Sequence, residues 1–355
     1  KALLLPSLPA NLAVLQAVLD AATSGLPTGR VWCLTTRAVS TAPDEPVPDP
    51  RAGAVWGLGR VAALEHPDLW GGLIDVTAAE ELPRTLPGVL AADGTGTEDE
   101  VALRRGSVLA RRWVRPGSST GGDGWVPTGT VLVTGGTGGI GRHVVRWLAE
   151  LGAPHILVAS RRGPEAAGDL VAEVEALGSA ITVVSCDVAD RNALAGVLAS
   201  VDADRPLSAV FHAAAALDDA VVQHLTAEQL HNASRSKVAG ARNLHELTQH
   251  TDLSAFVLFS SFASAFGAPG LASYAPGNAY LDALARTRRS QGLVATSVAW
   301  GTWAGAGMAT GPVGERFRRH GVLEMRPERA LRAVRGVLSE PEACPGLIDI
   351  AWDRL

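Results

Sequence analysis

Residues 130–152 read TVLVTGGTGGIGRHVVRWLAELG, a strand, a glycine turn and a helix in succession. The apolar, β-branched run Thr130–Thr134 has strand character, and the residues after Gly141 alternate at helical spacing. Gly135, Gly138, Gly139 and Gly141 let the backbone bend sharply and approach a pyrophosphate. Such a group would rest on the positive N-terminus of the helix that follows. Thr134, Thr137 and Ile140 complete the loop. Further apolar runs of strand length lie at 155–159, 181–185, 208–211, 255–259, 295–299 and 346–350, with helical stretches between them. These runs are continuous rather than alternating, which marks strands buried on both faces and hence a parallel sheet. The expected class is α/β, a doubly wound parallel Rossmann-type sheet.

Upstream, PGSSTGGDG (Pro116–Gly124) is a Gly/Ser linker and the clearest boundary in the chain. It divides an N-terminal part, residues 1–121, from a cofactor-binding part, residues 122–355. The N-terminal part holds short apolar runs at Lys1–Leu5, Val31–Thr35 and Gly72–Val76, and helical patterns at Asn11–Ala21 and Ala52–Leu64. It reads as a small α/β unit without a glycine-rich phosphate turn. Net charge of −5 and a pI near 6.0 offer no basic field for nucleic acid. No apolar stretch approaches the roughly 20 residues of a membrane span. Three widely spaced cysteines fit a reducing cytosol and no disulfide framework, and no His/Cys/Asp/Glu set has metal-ligand spacing. The chain starts at Lys1 without a signal segment, so the expectation is a cytoplasmic piece of a longer polypeptide.

The second strand ends in Ser160-Arg161-Arg162, where an NAD site would carry an acid for the ribose hydroxyls. Arginine offers a bidentate clamp for a phosphate, which points to NADPH; the alternative is two solvated arginines. The third strand ends in Cys186-Asp187-Val188. Asp187 has two readings, a partner for an adenine amino group or the cap of a turn. After the fourth strand, His212-Ala213-Ala214 gives small residues against which a cofactor can lie flat. His212 itself reads as a packed strand-end histidine rather than an acid or base.

The chain has only two tyrosines and two lysines, Lys1 and Lys237, against 29 arginines. Lys237 lies 37 residues before Tyr274, Ser261 lies 13 before it, and Asn278 lies four after it. Free tyrosine, with a pKa near 10, is a poor acid at neutral pH, and a neighbouring ammonium favours its phenolate. Ser261 can donate to a carbonyl oxygen while Tyr274 delivers a proton and hydride arrives from a nicotinamide. Asn278, one helical turn on, can order a water or the lysine. The alternative is a half-buried core tyrosine and a surface lysine.

Together these residues resemble the ketoreductase domain of modular type I polyketide synthases, within the short-chain dehydrogenase/reductase superfamily. The likeness runs over nearly the whole chain. It is carried by VWGLGRVAALEHPDLWGGLIDV (55–76), TGGTGGIG (134–141), SRRGP (160–164), HAAAALDD (212–219), SKV (236–238), FVLFSSFAS (256–264), SYAPGNAYLDAL (273–284) and VAWGTWAGAGMA (298–309). The glycine spacing TGxxxGxG belongs to that superfamily. In this family lysine and asparagine exchange places relative to other members, as Lys237 and Asn278 do here. The resemblance implies that residues 1–115 are a truncated Rossmann-like structural subdomain without cofactor, and that Gly301–Gly321 is a lid. It implies NADPH as cofactor. The implied partners are an acyl carrier protein with a phosphopantetheine-linked β-ketoacyl chain and other domains of the same synthase. Arg316, Arg318 and Arg319 could meet that carrier or form a solvated helix face; Trp300 and Trp303 could flank the nicotinamide or pack the lid. Leu217, Asp218 and Asp219 mark the B class, which gives a D (3R) hydroxyl. Phe266 replaces the tryptophan of the A class, and Pro276 marks the subtype that also epimerises the α-methyl centre. Rival readings are reduction without epimerisation, a redox-inactive or epimerase-only relic, and a free-standing dehydrogenase.

Overall fold

The computed structural model describes residues 8–42, 45, 47, 49–91, 98–115, 124–216, 218–305, 311–319 and 321–354. The run at 1–5, linker residues 116–123, Leu217 and lid residues 306–310 lie outside the described residues. In chain order the elements begin α1 (Leu8–Thr23), β1 (Val31–Thr36), α2 (Pro50–Glu65), β2 (Trp70–Val76), α3 (Leu82–Ala91), β3 (Glu100–Arg104) and β4 (Ser107–Ala110). Next come β5 (Thr130–Thr134), α4 (Gly139–Glu150), β6 (His155–Ser160), α5 (Leu170–Ala176), β7 (Ala180–Ser185), α6 (Arg191–Ala199) and β8 (Leu207–His212). They continue with α7 (Ala227–Ser234), α8 (Gly240–Thr248), β9 (Ala255–Phe259), α9 (Phe262–Phe266), α10 (Tyr274–Ser290) and β10 (Thr296–Trp300). The last are α11 (Gly311–Arg319), β11 (Val322–Leu323), α12 (Pro327–Val337), β12 (Gly346–Leu347) and β13 (Asp349–Ile350).

Two compact units emerge, and neither is one continuous stretch. The first draws on Lys1–Ser118, Leu217–Ser234 and Ala263–Gln291; the second on Ser119–Ala216, Arg235–Phe262 and Gly292–Leu355.

The second unit holds a seven-stranded sheet in the order β12-β10-β9-β8-β5-β6-β7. All its neighbours are parallel. From β5 outward, this is the doubly wound arrangement with its order reversal between β5 and β8, where ligands bind in open α/β sheets. Every residue of β5, β9 and β10 is buried, as their unbroken apolar runs require. The run at 346–350 departs from expectation. Gly346 and Leu347 pair with β10, but Asp349 and Ile350 pair antiparallel with β11. The Gly301 N–H takes the Leu347 carbonyl at 2.9 Å, and the Ala351 N–H then takes the Gly321 carbonyl at 2.8 Å, so the chain changes partner within five residues.

The first unit holds a four-stranded sheet, β1-β2-β3-β4, with only β4 antiparallel. The β3–β4 hairpin, which the sequence did not suggest, turns on Arg105 (φ 50) and Gly106 (φ 83). Two consecutive positive φ angles match the twist of the paired strands. At the carboxyl end of β2, where a doubly wound sheet would place a ligand, Asp75 is fully buried. It accepts from the Thr35 hydroxyl at 2.6 Å, the Ala38 N–H at 2.8 Å and Arg104 at 2.7 Å. Helix α2 starts on an Asp49 cap with Pro50 in its first turn, and it lies against α10.

Candidate active site

The cofactor loop follows from glycine stereochemistry. Gly135 has φ 73, and a Cβ there would lie 2.8 Å from Ala214 backbone atoms. At Gly141 a Cβ would meet the Gly135 carbonyl at 2.1 Å. Only glycine permits this turn to close beneath α4. Gly138 precedes the helix with extended backbone, and no side chain caps the first amides of α4. An anion is the natural partner for such amides. The Thr137 and Ser160 hydroxyls lie 2.6 Å apart, tying the loop to the end of β6. Ala213 donates its N–H to Thr134 at 3.1 Å, so Ala213 and Ala214 run close beside the turn. Ile140 is half-buried against the core.

Arg161 and Arg162 are both exposed. Arg162 donates to the Thr137 carbonyl at 3.2 Å and so folds back along the loop. Asp187 accepts from the Ala189 N–H at 3.0 Å and from Arg235 at 2.7 Å. Its turn-capping reading is therefore a physical fact, whatever else it meets. Burial works to raise its carboxyl, but these two donors outweigh that and hold it below the usual range. Val188 is buried, and its carbonyl accepts from Asn243 at 3.0 Å.

His212 is fully enclosed. Its Nε2 faces the Lys237 carbonyl at 3.0 Å and its Nδ1 faces the Thr134 hydroxyl at 2.7 Å. A carbonyl can only accept, so Nε2 carries the proton and Nδ1 accepts from Thr134. Burial drives the imidazole pKa down to about 4, which keeps it neutral. His212 is a strut from the end of β5 to the Lys237 backbone. Lys237 sits in a π-helical turn, Arg235–Ala239, between α7 and α8. The wider turn is the kind of irregularity that re-aims a side chain. Lys237 is buried, and its ammonium donates to the Phe259 carbonyl at the end of β9 at 2.7 Å. Ser261, also buried, follows two residues later. Neither the π turn nor the Phe259 carbonyl had a signal in the sequence.

Lys237 and Ser261 belong to the second unit, Tyr274 and Asn278 to the first. Tyr274 is the first residue of α10 and is half-buried; its N–H reaches the Leu271 carbonyl at 3.2 Å. Asn278 is fully buried and returns its side-chain amide to the Tyr274 carbonyl at 2.8 Å. Pro276, in the first turn of α10, needs no partner for the N–H it lacks. Ser273, just before the helix, donates its hydroxyl to Asp219 at 2.6 Å, and the Ala272 N–H takes the Ala220 carbonyl at 3.3 Å. Asp219 thus ties its loop to the head of the tyrosine helix. Burial raises the Asp219 carboxyl despite the Ser273 hydroxyl that donates to it. Asp218 instead accepts from Asn232 at 3.2 Å. Phe266 stacks on Trp113 with ring centroids 4.9 Å apart. Ser273 went unnoticed in the sequence because a serine before a helix is common.

Trp300 and Trp303 are buried with rings 4.9 Å apart, edge to face, and belong to the core of their unit. Beyond them, Phe317 of α11 packs edge-on against Phe262 at 4.8 Å. Arg318 and Arg319 are exposed, and Arg318 pairs with Glu324.

Comparison with known proteins places these features in one family. Residues 129–305 match the KR domain family, and residues 7–113 match the Rossmann fold domain of the polyketide synthase extender module SpnB. Erythronolide synthase EryA3 of Saccharopolyspora erythraea is 44% identical over 327 residues, 91% of this chain and 10% of that protein. A solved A1-type ketoreductase is 48% identical with a TM-score of 0.91, over 98% of this chain and 73% of that one. A C2-type ketoreductase from a modular polyketide synthase is 40% identical with a TM-score of 0.89, over 97% of this chain and 74% of that one. The chain spans only 5% to 22% of the length of the first curated relatives it matches. Among the described residues, no helix is long and apolar enough to cross a membrane. The sheet order, the glycine turn and these matches together make the chain a member of the polyketide synthase ketoreductase family, a β-ketoacyl reductase on a short-chain dehydrogenase fold.

Proposed function

We propose that this chain uses NADPH to reduce a 2-methyl-3-ketoacyl chain to the D (3R) alcohol and inverts the α-methyl centre. The acyl chain would be borne on the phosphopantetheine of an acyl carrier protein. The setting is a cytoplasmic polyketide synthase module, with other domains of that synthase alongside. The observation that carries the reading is Lys237, a buried ammonium in an arginine-rich chain, held on the Phe259 carbonyl two residues before Ser261. Burying an ammonium is costly, and such a residue is kept where its charge is used.

The residues fit a nicotinamide dinucleotide. The uncapped amides of α4 suit its pyrophosphate, Arg161 and Arg162 its 2′-phosphate, and Ala213 and Ala214 its flat approach. Asp187 and Val188 would border the adenine, and Thr134 to Gly141 the phosphates. When bound, the nicotinamide supplies hydride to the carbonyl carbon. Ser261 donates a hydrogen bond to the carbonyl oxygen, and Tyr274 gives that oxygen its proton. The Lys237 ammonium stabilises the phenolate left behind and binds the nicotinamide ribose. Asn278 orders a water for reprotonation.

The stereochemical course is read from single positions, because the solved relatives include both A1-type and C2-type ketoreductases. Leu217, Asp218 and Asp219 support the B class, and Phe266 stands where the A class has tryptophan. Pro276 supports the epimerising subtype, and FGAPGLASYAPGNAYLD (266–282) closely resembles the first-module ketoreductase of erythromycin synthase. Proline at 276 restricts Ala275 beside Tyr274 and reshapes the head of α10. The retained Tyr274, Ser261, Lys237 and Asn278 argue against an inactive relic.

The test is reduction of a (2R), α-deuterated 2-methyl-3-ketoacyl thioester with resolution of all four alcohols. The expected product is (2S,3R), with loss of deuterium. Tyr274→Phe should lose about 10²–10⁴-fold in rate. Near-normal turnover by Tyr274→Phe would remove the proton donor from the reading. An L alcohol would overturn the class, and a (2R,3R) product with full deuterium would overturn the epimerisation.

A further inference from the structure

We infer that Arg60, Glu100, Arg111 and Trp113, in the part of the chain without a cofactor loop, form a brace that sets the stereochemical preference. The brace acts on the segment joining Ser261 to Tyr274, so the inference rests on the roles given to those two residues above. Helix α9 lies in that segment and is only five residues long. A helix so short ends in carbonyls that its own turns cannot satisfy. Gly267 closes it in the left-handed region, φ 73, with its N–H on the Ala263 carbonyl at 3.1 Å. Two of the remaining carbonyls are taken by arginines. Arg60 donates to the Ser264 carbonyl and Arg111 to the Ala265 carbonyl.

Two guanidiniums side by side repel each other. Glu100 joins them, accepting from Arg60 at 2.9 Å and from Arg111 at 2.9 Å. Burial works to raise the Glu100 carboxyl, but the two arginines outweigh it and hold it ionised. Burial, and then Arg60, bring the Arg111 guanidinium down to about 10, still charged at neutral pH. Trp113 extends the wall, with its ring 21° from the plane of Phe266 and the Arg111 guanidinium over that ring at 5.5 Å from the centroid. Gly267 lies so near α2 that a Cβ would sit 2.5 Å from the Arg60 carbonyl. Glu65, at the end of α2, takes the Gly270 N–H at 2.6 Å.

Ser264, Ala265 and Phe266 are therefore each contacted by a side chain of the brace, and Gly267 lies against the Arg60 backbone. Phe266 is the one whose counterpart is tryptophan in the other class. Its ring faces Trp113, so the grip of Trp113 decides where that ring can go. None of the four brace residues belongs to the cofactor loop or the proton-transfer set. They are positioning residues, and their effect should appear in product identity before cofactor affinity.

The test uses the full chain, NADPH and a racemic 2-methyl-3-ketopentanoyl N-acetylcysteamine thioester, with the four alcohols separated by chiral chromatography. Trp113→Ala and Arg111→Ala should each shift the ratio of major to minor isomer by about tenfold, with NADPH affinity held within about twofold. Arg111→Lys should recover part of the ratio, since a lysine keeps the charge but cannot serve Glu100 and Ala265 as a fork. An unchanged isomer ratio in both alanine variants, at whatever residual rate, overturns the inference. Should Arg111→Ala fail to fold, Trp113→Ala decides alone, because that ring is 43% exposed and its loss leaves no cavity. Tyr274→Phe is assayed alongside. If it stays active the proton-donor reading fails, while the isomer ratios of the brace variants still decide the brace.

Discussion

Single residues show how the same chemistry is spent on position in one place and on charge in another. Asp219 is a carboxylate that holds Ser273 at the head of α10, one residue before Tyr274. The resemblance proposes it as a class marker from sequence alone; its bond to Ser273 was not readable there, because 54 residues separate the partners. Arg161 is the converse. Its position at the end of β6 was readable, and the structure leaves it exposed, with its charge felt by Asp187. Arg161→Ala should weaken NADPH about tenfold and leave NADH nearly unchanged, which competitive titration of the two cofactors would check. Equal affinity of the unmodified chain for both would remove the 2′-phosphate clamp. His212 makes a pH prediction. Its folded pKa, about 4, lies below the ordinary 6.5, so the folded state favours the neutral ring. That contribution is complete above pH 6.5 and is lost as pH falls towards 4, up to about 3 kcal/mol. Melting temperatures at pH 7.5, 5.5 and 4.5 should fall less steeply in His212→Gln than in the parent. Parallel slopes would mean that His212 titrates freely.

At the scale of elements, the pairing of α2 with α10 depends on small residues meeting at close range. Gly53 and Gly57 lie one turn apart on α2, and Ala275, Ala279 and Ala283 lie one turn apart on α10. A Cβ on Gly53 would meet the Ala283 Cβ at 2.8 Å, and one on Gly57 would meet the Ala275 carbonyl at 2.6 Å. Gly57→Ala should therefore cost about 1–3 kcal/mol through overpacking. It should also lower kcat, because the first turn it displaces carries Tyr274 and Pro276, with Asn278 one turn on. Denaturant titration and steady-state kinetics would check both effects; a stability unchanged within 0.5 kcal/mol, the ordinary range for harmless surface changes, would contradict the close packing. The helices themselves could be read from apolar spacing, but not that two glycines in one of them form a contact face. The hairpin of β3 and β4 hid behind two arginines and a glycine, Arg104 to Gly106, whose turn is set by φ angles rather than by hydrophobic period. The π turn at Lys237 had no pattern at all, since one extra residue in a helix leaves the composition unchanged.

At the scale of the whole molecule, linear and spatial organisation differ. The Gly/Ser linker suggests a cut near residue 121; the two family matches cover residues 7–113 and 129–305. Contacts group the chain differently, because residues 217–234 and 263–291 join the N-terminal unit. Sequence reading finds the linker because composition is local. It cannot find the regrouping, which depends on contacts such as Gln16 with the Leu225 carbonyl at 2.8 Å, some two hundred residues apart. The consequence concerns the part that carries the cofactor loop. Residues 124–355 produced alone would keep their seven-stranded sheet but lose α2 from the side of α10, along with Arg60 and Arg111 from the end of α9. An apolar helix face left bare in this way favours aggregation. The fragment 124–355 should therefore be poorly soluble and lack reductase activity, and co-expression with residues 1–118 should restore both. A soluble fragment 124–355 with the parent's kcat/KM would show that α10 holds its place without α2, and that the linear cut is also the physical one.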